Sequence, residues 1–275
     1  MNNFIEKTDG IKSTLSKNID LVFDLMKFGD DFQEICISGL KESINILEKQ
    51  GIPEGRSDYI AVRNKLTAVQ KIQQNKSLTS HYQKMFNQCV VLLVAYFAYA
   101  LEDIFITTLS EKFCNYSDTL KNKVQKEKIS FADLLEAGTE TELSYDKIAE
   151  LFVKNNNDIS FQDMKSVARE AEKYFDIKIE QDKDTHNIIL AQACRHVLVH
   201  SNGVANKKTI RQIKEAKPRT IKTQLKEGDE INFDKDEINI IAESMKNYFN
   251  ILSDKIHESF TPPETEDVIN NDIPF

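Results

Sequence analysis

The sequence predicts an all-α protein, a helical bundle with long antiparallel helices and one small β-hairpin. Apolar residues recur at three- and four-residue spacing over most of the chain, which is the period of a helix. Glycine and proline are scarce, at 8 and 5 of 275 residues, and there is no tryptophan, which argues against a loop-rich or all-β fold. With 40% apolar and 29% charged residues, the composition is that of a globular protein with a sizeable core.

Helical periodicity divides the chain into eight predicted helices, with one further short helix in SFADLLEAG, 130–138. The first is supported by Ile11, Leu15 and Ile19, and the third contains the apolar run CVVLLVAYFAYAL. That run has 13 residues, fewer than the roughly 20 that cross a bilayer, so it predicts a buried helix and no membrane association. The predicted helices span residues 3–49, 58–75, 80–113, 117–127, 144–154, 160–175, 184–202 and 235–259.

Capping residues set several of these boundaries. Ser144 and Ser160 are placed as N-caps after polar connections, and Asp234 is placed as the cap of the last helix. Gly203 closes the helix before it, since glycine is the usual residue just past a helix end.

The alternating segment RTIKTQLKEGDEINF predicts the β-hairpin at 219–233, around its Gly-Asp turn. Three regions follow from the periodicity and composition. Residues 1–78 form an N-terminal helical segment that packs on the core, 79–260 form the main helical domain, and 261–275 form a flexible acidic tail.

Four cysteines lie far apart without a CxxC pair and predict reduced, mostly buried thiols in a cytoplasmic protein. They are Cys36, Cys89, Cys114 and Cys194. The N-terminus has neither the basic nor the apolar region of a secretory signal.

Charge is unevenly distributed. The net charge of −8 argues against a protein coated in positive charge for duplex binding. Residues 206–222, however, contain seven Lys or Arg and one Glu, whereas 258–275 contain five acids and no base. A charge run is commonly a solvated helix face; this one begins close to the residues described next.

The segment ACRHVLVHSNGV, 193–204, places Arg195, His196 and His200 at the end of a predicted helix. Three interpretations stay open. The cationic side chains stabilise the helix C-terminus through its dipole. Alternatively, His196 and His200, four apart on one face, begin a metal site, although the sequence offers no evident third ligand. In the third, a histidine moves a proton and Arg195 neutralises phosphoryl charge during phosphodiester cleavage.

The motif RHVLVH resembles the Arg-x(4–6)-His motif of the HEPN domain, a helical ribonuclease superfamily. In that family a polar residue follows the motif Arg, here His196, and the motif helix runs into an Asn/Gly turn, here with Asn202. The segment GDEINF and the long helix after it are similar to the bacterial RiboL-PSP-like branch. An apolar helix with an embedded acid is also usual, and YFAYALEDIF matches it. The resemblance covers about residues 80–260, which makes 79–260 a HEPN-like domain.

This resemblance implies a homodimer in which two motif helices face a shared cleft and cleave RNA without metal or cofactor. The RNA 2′-OH attacks the adjacent phosphate and leaves a 2′,3′-cyclic phosphate. His200 is the general base or acid, and Arg195 holds the phosphate and stabilises the phosphorane. His196 either positions the phosphate or packs at the dimer interface, and Asn202 supports the motif.

A carboxylate inside YALEDIFI is costly to bury unless it is paired. We therefore expect Glu102 or Asp103 to pair with Arg195 and orient its guanidinium, the alternative being that these acids point to solvent. We expect the basic segment, residues 206–222, to bind the RNA backbone without sequence specificity. The residues expected to bind are Lys207, Lys208, Arg211 and Lys214. The remaining histidines are expected at the surface or at helix caps, namely His81, His186 and His257.

The C-terminal segment EDVINNDIPF resembles the tail of bacterial single-stranded DNA-binding proteins, which ends in acids followed by Ile-Pro-Phe. The matching residues are Asp272, Ile273, Pro274 and Phe275. The resemblance implies a peptide that docks its terminal Phe in a pocket of a replication or repair protein, the alternative being an ordinary polar tail. A further hypothesis is that the tail folds back on the basic segment and inhibits it.

Together these features favour a metal-independent endoribonuclease, a cytoplasmic toxin or phage-defence effector that acts on RNA as a homodimer. The alternative is a catalytically silent HEPN protein that binds RNA or a partner as a sensor, antitoxin or scaffold. Convergence of Arg195 and His200 on an open cleft would favour the enzyme.

Overall fold

The structure, a computed structural model, describes residues 2–74, 78–114 and 144–260. Within these ranges the chain forms eight helices and no strand, so the prediction of an all-α fold is confirmed. The helices are α1 Asn2–Lys49, α2 Ser57–Gln74, α3 Thr79–Cys114, α4 Tyr145–Asn155, α5 Met164–Phe175, α6 Lys183–His200, α7 Lys207–Lys214 and α8 Lys235–Phe260. The predicted helices over 117–127 and 130–138 lie outside the described residues, as does the tail.

Helix α3 is the centre of the bundle. One face of it is buried from Cys89 onwards, where Cys89, Leu93, Phe97, Leu101 and Ile104 are each at most 1% exposed. Helices α1, α4, α6 and α8 pack around it. Among the described residues it is the one helix whose length and composition would allow it to cross a membrane. Half of its most apolar stretch is buried inside the protein.

Helix α1 runs antiparallel to α3 and joins the same core. Its buried residues Phe4, Leu15 and Ile19 belong to one cluster with those of α3. Near its start, the Lys7 ammonium lies 3.1 Å from the Asp146 carboxylate of α4. Near its middle, Asp30 pairs with Lys235 at the start of α8 at 2.5 Å. The helix is thereby fixed to the bundle at two separate points.

The predicted hairpin at 219–233 is wrong for the described residues. Lys222 has a φ of 46°, which interrupts an extended strand. The segment instead returns to the end of α6, where the Ile231 amide donates to the Gly203 carbonyl at 2.8 Å. The alternating apolar residues Ile221 and Phe233 anchor this loop in the core without forming a ladder. A period of two therefore reports alternate burial here rather than strand pairing.

Buried side chains of α6 hold the preceding part of this loop. The His186 ring nitrogen lies 3.0 Å from the Pro218 carbonyl oxygen, and His186 is 5% exposed, so its expected place at the surface is wrong. The Asn187 amide oxygen accepts from the Thr220 backbone N–H at 3.0 Å. Arg219 donates to the carbonyls of Ile213 and Ala216, both at 3.0 Å. These bonds replace the backbone pairing that a hairpin would supply.

Most predicted caps are confirmed. The Ser144 hydroxyl accepts from the third residue of its helix, and the Asp234 carboxylate accepts from the Glu237 amide at 2.8 Å. Gly203, at φ 76°, follows the end of α6. Ser160 is not a cap, since α5 begins four residues later and its N-cap is Asp163, whose carboxylate accepts from the Lys165 amide.

The four cysteines are free, as predicted. Burial raises the pKa of Cys89 to about 11 and that of Cys194 to about 12. Both thiols are therefore protonated near neutral pH and serve as core residues. Cys36 is half-buried and Cys114 is exposed.

Candidate active site

Helix α6 carries the three side chains of the motif, those of Arg195, His196 and His200. Asp182 caps its start by accepting from the Thr185 amide at 2.9 Å, and the turn at Gly203 ends it. Its inner face is fully buried, including Leu190, Cys194 and Val197. This burial fixes the rotation of the helix about its axis. Arg195 is consequently half-buried at the edge of the inner face, whereas His196 and His200 are exposed.

The Arg195 guanidinium is held by a neutral partner. Its Nη1 donates a 2.6 Å hydrogen bond to the Oε1 atom of Gln162, in the turn before α5. Its Nε is buried and has no acceptor among the described residues. A buried donor without an acceptor costs free energy, and an anion beside Arg195 would relieve that cost.

Arg195 and His196 line one cleft of about 230 Å³, between α6, the start of α5 and α7. Three apolar side chains, several hydrogen-bond donors and one carboxylate line this cleft. They are Val94, Gln162, Asp163, Lys165, Ile189, Gln192, Ala193, Arg195, His196, Lys208 and Gln212. Ile189, Gln192, Ala193 and His196 follow helical spacing, so a single face of α6 forms this wall.

Gln192 supplies a second donor without an acceptor in the same cleft. Its Oε1 accepts from the Met164 amide at 3.2 Å, which fixes the orientation of the side chain. Its Nε2 is then buried, with no acceptor in the described part of the chain. Two residues with such buried donors, Gln192 and Arg195, therefore line one cleft.

His196 and His200 lie on successive turns of α6, with ring centroids 5.0 Å apart. Partial burial, followed by the charges of Lys208, His200 and Arg195, lowers the pKa of His196 below its usual value. His196 is therefore neutral near pH 7 and able to accept a proton. His200 lies one turn further on and is not part of the cleft lining. Within one chain, Arg195 thus shares its cleft with His196 rather than with His200.

The expected pairing of Arg195 with an acid of α3 is wrong. Neither Glu102 nor Asp103 forms an ion pair with Arg195 in the described residues, where Gln162 takes that place. Asp103 lines a different cleft, of about 510 Å³, beside α1 and α4. Burial raises the pKa of Glu102 and that of Asp103, and for Glu102 the neighbouring Asp103 adds to the rise. The two acids are therefore partly desolvated and form no ion pair with a described residue.

The basic residues of the short helix α7 divide between two of its faces. This helix was not among those predicted from the sequence. Lys208 lines the Arg195 cleft together with Gln212. Lys207, Arg211 and Lys214 share another, exposed face, as their spacing requires. Of the four predicted RNA-binding residues, only Lys208 is placed beside Arg195.

An ion pair joins the two sides of the cleft. The Lys165 ammonium of α5 lies 2.7 Å from the carboxylate of Glu215, the residue just after α7. The pairing lowers the pKa of Glu215 and neutralises the single acid of the basic segment. Both side chains are exposed, so the pair positions α7 and contributes little stability.

The other predicted site residues lie apart from this cleft. Asn202 is exposed, with a φ of 51°, and forms the turn after α6. Asp272, Ile273, Pro274 and Phe275 lie outside the described residues. Across 2–74, 78–114 and 144–260, no three His, Cys, Asp or Glu side chains converge as metal ligands would. A metal at His196 and His200 has no third ligand among them.

The sequence predicted three of the eleven residues that line the cleft and missed five polar ones, including Asp163. Gln192 could have been found, because it lies three and four residues before Arg195 and His196 on the same helix. Lys165, Gln162 and Gln212 come from other elements, and nothing in their local sequence marks them. No known protein family, curated protein or solved structure matches the chain.

Proposed function

We propose that this protein is a metal-independent endoribonuclease that uses the Arg195 cleft. The observation that carries the proposal is a pair of buried donors, Arg195 Nε and Gln192 Nε2, that have no acceptor in the described part of the chain, together with a histidine of lowered pKa. Lys208 adds positive charge at the rim. Such a cleft suits a phosphodiester, because Arg195, Gln192 and Lys208 donate hydrogen bonds or carry positive charge.

The proposed reaction needs one base and one acid. His196, which is neutral, accepts the proton of the RNA 2′-OH while the 2′-oxygen attacks the adjacent phosphorus. The bond from phosphorus to the 5′-oxygen then breaks, and His200 donates a proton to that leaving oxygen to form the 5′-OH. Arg195 donates to the phosphoryl oxygens as their negative charge increases. The products are a 2′,3′-cyclic phosphate and a 5′-OH, and neither metal nor cofactor takes part.

We further propose that the enzyme is a homodimer. Val199 and Val204 flank the exposed His200 and are 48% and 43% exposed. This apolar surface at the end of α6 supports contact with a second copy, which would bring a second His200 towards the cleft. In a dimer, the acid could come from either chain.

The biological role proposed is that of a cytoplasmic toxin or phage-defence effector. The proposed partners are RNA, an antitoxin, and a replication or repair protein bound through the C-terminal tail. The resemblance of the motif to HEPN ribonucleases and of the tail to single-stranded DNA-binding proteins supports these assignments.

One observation favours a second candidate, a catalytically silent RNA- or partner-binding HEPN protein. His200 does not share the lining of the Arg195 cleft within one chain. If no second chain completes the site, the cleft retains an anion-binding arginine but lacks the acid. Binding without cleavage would then be the whole activity, as in a sensor, antitoxin or scaffold.

The test is cleavage of total RNA and tRNA by purified protein in EDTA, with the product ends examined for a 2′,3′-cyclic phosphate. His196→Ala, His200→Ala and Arg195→Ala should each abolish cleavage, and His81→Ala, at a distant exposed histidine, should not. Cleavage that survives chelation and stops in the three variants supports the enzyme. RNA binding that depends on Arg195 without cleavage by any protein supports the silent candidate.

A further inference from the structure

Helix α1 exposes a stripe of large apolar side chains that the core does not use. Its members lie at successive spacings of four, three, four and three residues. They are Leu21, Leu25, Phe28, Phe32 and Ile35, with exposed fractions of 59%, 36%, 62%, 56% and 69%. The Phe28 and Phe32 rings stack with centroids 6.0 Å apart.

This stripe, hereafter the α1 stripe, is separate from the buried face of the same helix. The inward residues Ile19, Val22 and Met26 are at most 5% exposed and pack in the bundle. Isolated exposed apolar residues are common, but five on one face form a patch large enough to indicate a binding surface. An average spacing of 3.5 residues is the repeat by which one helix packs along another. The stripe therefore fits a helix better than a flat protein surface.

The charges beside the α1 stripe indicate which helix it fits. If Leu25 and Phe32 are heptad a positions, Asp24 and Asp31 directly before them are g positions. The two acids therefore lie along one edge of the α1 stripe. Both acids are exposed, and neither forms an ion pair within the described residues. The corresponding positions on the other edge, such as Gly29 and Cys36, carry no charge. A partner helix would therefore meet negative charge along one edge.

A second copy of this chain fits that edge poorly. An antiparallel pair of stripes that packs Leu25 against Phe28 places Asp24 of one copy opposite Asp31 of the other, twice in the symmetric dimer. Like charges at these positions are unfavourable. The same acids oppose binding to an anionic membrane surface.

We propose that the α1 stripe binds an amphipathic helix of a partner protein, with apolar residues at heptad spacing and Lys or Arg along the edge that faces Asp24 and Asp31. This interaction goes beyond the proposed ribonuclease activity and does not depend on it. The stripe lies on α1, whereas the Arg195 cleft is formed by α5, α6 and α7. The apolar residues supply affinity and the acids select for a basic partner.

The test uses two synthetic three-heptad peptides that share leucines at the seam and differ only in Lys or Glu at the flanking positions. Their binding to the full-length protein is followed by fluorescence anisotropy. We expect the Lys peptide to bind at least about tenfold more tightly than the Glu peptide at low salt, with the difference shrinking as salt rises. Phe28→Glu/Phe32→Glu should lose at least about tenfold in affinity for the Lys peptide, while Ile251→Glu, at an exposed residue of α8, should lose none.

Asp24→Lys/Asp31→Lys separates selection at this edge from attraction to the net negative charge of the chain. This variant should reverse the preference and bind the Glu peptide more tightly. Equal affinity for the two peptides, or no binding of either, would overturn the proposal. So would sedimentation that shows self-association lost in Phe28→Glu/Phe32→Glu, because the occupant would then be a second copy. Binding to anionic vesicles that depends on the stripe would overturn it as well.

Discussion

The Arg195 guanidinium is oriented by the amide oxygen of Gln162, at 2.6 Å, and not by a carboxylate. An amide accepts a hydrogen bond without neutralising the arginine, so the full positive charge remains available to an anion in the cleft. A carboxylate partner would orient the side chain equally well and would cancel much of that charge. The choice of glutamine is therefore consistent with an arginine that binds phosphate rather than one that stabilises the fold.

Gln162→Glu should weaken RNA binding because it places a negative charge beside Arg195. We expect the affinity for a short single-stranded 2′-O-methyl RNA, which resists cleavage by 2′-OH attack, to fall about fivefold to tenfold, measured by anisotropy. Gln162→Ala, which removes only the orienting acceptor, should cost less. Gln224→Glu, at an exposed residue outside the cleft, is the matched control. An unchanged affinity in Gln162→Glu would mean that Arg195 does not contact the RNA.

The His196 pKa should respond to Lys208. Partial burial lowers this pKa first, and the charge of Lys208 lowers it further, so Lys208→Gln should raise it towards the ordinary histidine value. The measurement is an NMR titration of the His196 ring. Lys214→Gln, on the outer face of α7, should leave it unchanged.

The same shift has a consequence for cleavage. A base must be neutral to act, so the proposed activity rises with pH through the lowered His196 pKa. Lys208→Gln should move that rising limb to higher pH. The free energy of unfolding changes with pH in the same direction, because His196 binds a proton less readily in the folded state. Its contribution to stability is therefore present above its unfolded pKa and is lost as pH falls through the folded pKa. An activity limb that stays in place while the NMR pKa moves would show that His196 is not the base.

The outer face of α7 should contribute to RNA binding only through general electrostatics. Replacing Lys207, Arg211 and Lys214 by Gln should reduce the slope of log affinity against log salt by about 2 for single-stranded RNA, since each phosphate contact contributes about 0.7. Cleavage of bound RNA should continue. The control replaces three exposed lysines away from α7, which are Lys49, Lys154 and Lys178. A control variant that loses as much slope would indicate that α7 has no special role.

Long elements were predictable from the sequence because their pattern repeats many times. Helix α3 differs by only one residue at each end from the predicted 80–113. Its long apolar run made this agreement possible, because such a run indicates a buried helix. The hairpin prediction was wrong because apolar residues such as Ile221 and Phe233 alternate with polar ones in a loop, where they are buried in the core. This alternation resembles the pattern of a strand. The cleft was only partly predictable. The positions of Arg195 and His196 on one helix follow from spacing, but Gln162 comes from a turn about thirty residues earlier, and only the packing of α5 on α6 brings it there.

Asn187 is a structural residue that no local pattern marks, and its removal should destabilise the fold. It is 1% exposed, donates to Ser244 at 3.2 Å and accepts from the Thr220 amide at 3.0 Å. Asn187→Ala leaves the Thr220 N–H without its acceptor and should lower the free energy of unfolding by about 2–3 kcal/mol, measured with urea. Asn239→Ala, at an exposed position of α8, should change it by less than about 0.5 kcal/mol. Equal stability of the two variants would show that the loop at 216–222 is held by other contacts.

Neutralising the acids of α3 should stabilise the protein near pH 7. Burial raises the pKa of Glu102 and of Asp103, so the folded state holds their protons more tightly than the unfolded state does. Their contribution is therefore favourable at low pH and is lost as pH rises through the folded pKa values. Both groups are substantially exposed, which limits the effect, and we expect Glu102→Gln/Asp103→Asn to raise the melting temperature by about 1–3 °C at pH 7 and by less at pH 4. Glu150→Gln, at an exposed acid of α4, is the control. A lower melting temperature at pH 7 would mean that a cation stabilises these carboxylates, contrary to the prediction.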